Sequence, residues 1–134
     1  MNENKAEFAV VQILNGNATL ATELDGRITP LLRDENGTLP AIVYAGSAPN
    51  RQRYLDGSFM DIATVDMSFE LWATNYIQAK RLVSIAVGAL NNFSGNIAGI
   101  SVLTIDCEAG PEGGIWDGDE MVVEFTAKVT AKGL

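Results

Sequence analysis

Between residues 64 and 93 the spacing of apolar positions changes period once, and the change separates a strand from a helix. Val65, Met67, Phe69, Leu71 and Ala73 share one parity while Asp66, Ser68 and Glu70 hold the other, the pattern of a half-buried strand. Residues 75–92 contain no proline, and Tyr76, Ala79, Val83, Ala86, Val87 and Leu90 recur at helical intervals. That spacing predicts a helix of about five turns, opened by Thr74 or Asn75 as the N-cap. Only those two residues divide the patterns, so the helix should fold back over the strand's apolar face, and the rest of the chain should pack around this unit.

The flanking segments supply further elements. Residues 4–14 predict a first helix with Phe8, Val11 and either Gln12 or Leu14 on one side, and with Glu3 and Glu7 in the first turn, where the helix dipole favours acids. Asn15, Gly16 and Asn17 end it. Residues 18–24 predict one or two further helical turns, Asp25 and Gly26 a break, and residues 27–30 a short edge strand closed by Pro30. A polar turn follows at 33–38, then a strand over 39–48 with Pro40 at its start and Pro49 beyond its end. Residues 50–62 scatter Tyr54, Leu55 and Phe59 among Arg51, Gln52, Arg53, Asp56, Gly57 and Ser58. They predict a long loop between two strands, a feature that calls for a role.

After a turn at 91–95, residues 97–107 predict a third long strand with Gly99 as a bulge. Residues 108–120 hold four glycines, one proline and five acids, and predict a loop or hairpin tip with Ile115 and Trp116 either exposed or tucked beneath it. Met121, Val123, Phe125, Ala127 and Val129 then alternate with Glu124, Thr126 and Lys128, a closing strand antiparallel to its predecessor. The expected fold class is α+β: a two-layer sandwich, mainly an antiparallel sheet with two helices packed on one face. The polar parity of the strands is left for solvent or another subunit.

Length and charge narrow the functional classes. The chain has 134 residues, enough for one domain over 1–134 with its own core. A net charge of −8 opposes attachment to a nucleic-acid backbone, although not a partner with a locally basic patch or a channel through which DNA passes. One cysteine allows no internal disulfide. The polar start of the chain and the absence of a long apolar run predict neither a signal peptide nor a membrane span, hence a soluble intracellular product.

With no histidine, the commonest general base and metal ligand is missing, and no Ser/His or Cys/His nucleophile can form within the chain. Cys107, between Asp106 and Glu108, should have a raised thiol pKa and be a poor nucleophile. The glycines form no phosphate-binding motif. Asp106, Glu108, Asp117, Asp119 and Glu120 raise the question of Mg²⁺ or Ca²⁺, but their spacing does not match an EF-hand, and a solvated acidic tip is the simpler reading. No catalytic, cofactor or metal residue is therefore expected. Arg51 and Arg53, together with Tyr54, Leu55 and Phe59, are candidate partner contacts, with solvation beside Asp56 as the alternative. Trp72, on the polar parity of its strand, either packs under the Pro/Gly-rich loop or enters a subunit interface, and Trp116 is a further candidate contact.

The linear arrangement resembles the tail-completion proteins of long-tailed bacteriophages, the family that includes the tail terminators. The resembling pieces are the N-terminal helix, DGRITPL at 25–31, LPAIVYAGSA at 39–48, the YLDG segment at 54–57, VDMSFELWATNYIQAKRLVSIAVGAL at 65–90, the acidic segment and the closing alternating strand. FELWATNYIQAKRL, at 69–82, is the most specific of them. The end departs from the pattern, closing on AKVTAKGL rather than an aromatic-rich strand. The resemblance implies a non-enzymatic ring, usually a homohexamer, that caps the head-proximal end of the tail tube, stops its growth and offers the head connector a docking surface while DNA passes through the lumen. Implied partners are other copies of the chain, the tail tube protein and a head connector or neck protein. The implied place is the virion's tail-to-head junction, after synthesis in the host cytoplasm. Two alternatives stand beside it: a neck or head-closure ring on the portal side, and a metal-dependent enzyme using Asp117, Asp119 and Glu120.

Overall fold

The predicted strand-to-helix unit forms and sits at the centre of the molecule. The computed structural model describes residues 5–30, 38–53, 55–57, 59–97, 99–110, 115–117 and 120–132. Its elements are α1 (Lys5–Asn15), α2 (Ala18–Leu24), β1 (Ile28–Pro30), β2 (Ala41–Gly46), β3 (Asn50–Arg53), β4 (Phe59–Ala73), α3 (Tyr76–Leu90), β5 (Gly95–Ile97), β6 (Ile100–Ala109), β7 (Ile115–Asp117) and β8 (Glu120–Lys132). One sheet runs β1-β2-β4-β8-β6-β5, with β3 added beside β4 and β7 beside β8. Among the described residues only β1 and β2 pair in parallel.

β4 and β8 form the spine, in unbroken antiparallel register from Ile62 opposite Lys132 to Ala73 opposite Met121. The alternation seen in the sequence becomes a division between faces. Val65, Met67, Phe69 and Leu71 on β4, and Val123, Phe125, Ala127 and Val129 on β8, are all buried beneath the helices. Phe69 and Phe125, opposite one another, stack with centroids 4.5 Å apart and planes 4° from parallel. Cross-strand aromatic pairs of this kind add to the burial of their area. α3 lies on β8, β6 and β4, α1 packs on α3, and the short α2 bridges the two, so a third helix joins the expected pair.

Local chemistry fixes the helix ends. The Asn75 side chain accepts a hydrogen bond from Gln78 N at 2.7 Å, satisfying a donor that the first turn leaves orphaned. Asn17 caps α2 in the same way through Thr19 N and Leu20 N. At the far end of α3, Asn92 turns in the left-handed region at φ 63° and its N–H donates to Ile105 O, while Asn91 Oδ1 accepts from Cys107 N. The exit from the helix is thereby tied to the edge of β6. Arg81 forms a two-pronged ion pair with Glu23, joining α3 to α2.

Several expectations are corrected. α3 is 15 residues, about four turns, and its buried stripe is Ala79, Leu82, Val83, Ala86 and Leu90; Tyr76 is exposed and Val87 only half-buried. In α1 the buried residues are Ala6, Ala9, Val10 and Leu14, while Phe8 is 51% exposed. Small alanines allow that helix to approach its neighbours closely, which a search for the largest apolar residues misses. Residues 50–62 are not a loop but a hairpin of β3 and the first part of β4. Gly99, at φ 83°, lies between β5 and β6, which form a hairpin. The bulge falls between Val102 and Thr104, where the extra residue Leu103 flips the parity of β6. The acidic segment 108–120 contains a strand, β7, paired to the start of β8. The polar turn expected at 33–38 lies, but for Thr38, outside the described residues.

Candidate assembly surfaces

The face of the sheet turned away from the helices carries the alternate parity of the strands, polar along most of β4, β8 and β6 and apolar on β2. Register brings those residues into rows. Ala41, Trp72, Val122 and Ile115 occupy neighbouring positions across β2, β4, β8 and β7. One row on, Val43, Glu70 and Glu124 are neighbours. The next is Ala45, Ser68, Thr126 and Glu108, and beyond it Asp66, Lys128 and Asp106 lie side by side. The face thus grades from apolar at the Trp72 end to acidic in the middle. Ala41, Val43 and Val122 are buried and Trp72 half-buried, so this end of the outer face is already packed within the chain.

The acidic middle is hollow. A groove of about 910 Å³ runs across β2, β4, β8 and β6, bounded by Gly46 and Ser47 on one side and by Glu108 and Asn91 on the other. Asp66, Asp106, Glu108 and Lys128 line it, one cation among three acids. Beside it, Glu70 and Glu124 face each other directly, an arrangement that costs stability in a sheet.

The second surface is the β3–β4 hairpin. Asn50 and Arg51 pair with Thr64 and Ala63, which themselves pair with β8, so the hairpin begins inside the sheet. Only its outer part, with Arg53 opposite Phe59, extends beyond the last described β4–β8 pair, Ile62 with Lys132, as a short arm. Arg51 is exposed and Leu55, at the tip, is completely so. Gly57, at φ 91°, makes the turn possible.

The predicted contact residues therefore separate into two groups. Arg51 lies at the root of the hairpin, within the sheet and opposite Ala63; Arg53 and Phe59 are the last pair of the arm and Leu55 is at its tip; Tyr54 lies outside the described residues. Trp72 and Trp116 are at the other end of the sheet, with Trp116 opposite Met121. About nine residues of β4, roughly 30 Å, separate the groups. Asp66, Glu70, Glu124 and Lys128 were visible only as polar parity, and Asp106 only as part of the acidic cluster around Cys107 and the 108–120 segment, because no period in the sequence states which strands become neighbours.

Asp117 and Glu120 face one another across the β7–β8 turn, and Asp119 lies outside the described residues. Among the described residues no group of three or more His, Cys, Asp or Glu side chains is placed to hold a metal ion. Burial, and secondarily the charge of Glu108, push the Cys107 thiol up to about 11, so it stays protonated at neutral pH. The carboxyl of Glu7 on α1 is raised by partial burial, against the lowering effect of a backbone hydrogen bond from Gly46. No described helix is long and apolar enough to cross a membrane.

Sequence comparison matches no known family and no curated protein. Comparison of structures finds a chain from the virion of a native gene transfer agent particle, with a TM-score of 0.73 and 13% identity, covering 95% of this chain and 94% of that one. At that identity the likeness establishes a shared fold, from one end of the domain to the other.

Proposed function

We propose that the chain is a structural protein of a phage-like virion, and that within it copies assemble into a ring at the tail-to-head junction. The ring caps the tail tube, ends its elongation and gives the head connector a surface to dock on. The observation that carries this reading is the end-to-end likeness of fold to a chain of a gene transfer agent virion. The sequence resemblance to tail-completion proteins supports the finer assignment, and so does a polar outer sheet face that the described helices leave uncovered. A net charge of −8 suits a collar through which DNA slides without sticking.

Deleting the gene from the producing virus tests the assignment by electron microscopy of lysates. Headless tails much longer than wild type are expected. Headless tails of normal length would move the protein to the portal side, and intact particles would remove it from the junction altogether.

A further inference from the structure

We propose that the turn after α3 is an edge guard: Asn91 and Asn92 fill the outer edge of β6 and withhold it from strand addition by a second copy of the chain. The inference does not depend on the ring reading. An unpaired strand edge is a template for another strand, and folded proteins keep such edges covered or charged. β6 runs from Ile100 to Ala109, but β5 pairs only with Ile100, Ser101 and Val102. Among the described residues no strand lies beside 103–109 on the side away from β8.

That stretch is where the turn docks. Asn92 N–H donates to Ile105 O at 2.8 Å, and Cys107 N–H donates to Asn91 Oδ1 at 3.1 Å. In an antiparallel ladder both backbone groups of a residue point the same way and the direction alternates along the strand, so Ile105, Cys107 and Ala109 face the outer edge. One main-chain donor and one side-chain acceptor thus stand where an incoming strand would bond. Charge adds a second barrier. Asp106 and Glu108 flank Cys107 and are exposed. Two β6 edges meeting antiparallel about Cys107 would set Asp106 of each copy opposite Glu108 of the other, and like charges directly opposite are destabilising.

Asn91→Ser withdraws the acceptor, and Asn91→Asp keeps one in the same place. Sedimentation velocity over a range of concentrations and amide hydrogen exchange by NMR test the guard, with wild type as the baseline whether it is a ring or a monomer. In dilute Asn91→Ser the Cys107 amide should exchange about tenfold faster or more, since its hydrogen bond no longer has to open. At higher concentration this variant should form species larger than any of wild type, with protection returning over 105–109. Added salt, which screens the acids, should lower the concentration at which it does so, and so should Glu108→Gln in the same chain. Asn91→Asp should behave as wild type. Removing only the charges, by Asp106→Asn with Glu108→Gln, should add no association while the turn still fills the edge. This last variant leaves the turn untouched, so association appearing in it would overturn the proposal even if Asn91→Ser did not fold. Faster Cys107 exchange in Asn91→Ser with the wild-type set of species at every concentration and salt would overturn it equally, and neither result would bear on whether copies form a ring.

Discussion

The two faces of one sheet differ more than any two elements of this molecule. Beneath the helices, Val65, Met67, Phe69 and Leu71 are at most 2% exposed and mesh with the alternating residues of β8. On the opposite face, the residues between them set Glu70 against Glu124 and gather three acids around one lysine. Both faces are written in the same strands by alternate letters. The helix side holds the chain folded, and beyond the packed Trp72 end the outer side carries polar and charged residues.

Four substitutions would break or sharpen that contrast. The largest effect is expected from Phe69→Ala, which removes one ring of the stacked pair and leaves a cavity at the spine. It should cost about 3–5 kcal/mol by chemical denaturation, and a loss under 1 kcal/mol would show that the stack is not the core's centre. Gly110→Ala comes next. Its added Cβ would lie 2.7 Å from the Glu124 carbonyl oxygen, which accepts a hydrogen bond from Gly110 N. A loss of about 1–3 kcal/mol is expected, since backbone, not a flexible side chain, must move.

Glu124→Gln, on the outer face, should leave the monomer unchanged or make it more stable by up to about 1 kcal/mol, because it removes half of a like-charge pair. Destabilisation comparable to that of Phe69→Ala would erase the distinction between faces. The smallest effect is electrostatic. The Glu7 carboxyl is raised in the folded state, so the fold binds that proton more tightly than the unfolded chain does. Its contribution to stability is complete below the ordinary carboxylate value and is lost as pH rises through the elevated one. Glu7→Gln should accordingly flatten the pH dependence of the melting temperature just above the ordinary carboxylate range, and an unchanged profile would show that the group carries no linkage.

The strands β4 and β8 and the helix α3 were legible because their periods are regular, and Pro30 marked an edge strand correctly since its missing N–H excludes the middle of a sheet. The arm was not. Its register shifts between Arg51 and Arg53, which breaks the alternation by which a hairpin is recognised. The face that α1 buries was hidden by Ala6 and Ala9, whose contribution comes from closeness rather than bulk. The groove was beyond reach for another reason: Asp66, Lys128 and Asp106 are far apart in the chain and meet only through strand order. The resemblance to tail-completion proteins implies self-association, and the outer face proposed for it takes its shape from that strand order.

Native mass spectrometry of the purified wild-type chain, taken from nanomolar to high micromolar concentration, addresses the outer face most directly. A single closed species of fixed subunit number should replace the monomer as concentration rises. A monomer at every concentration would contradict the proposal that copies of this protein assemble into a ring.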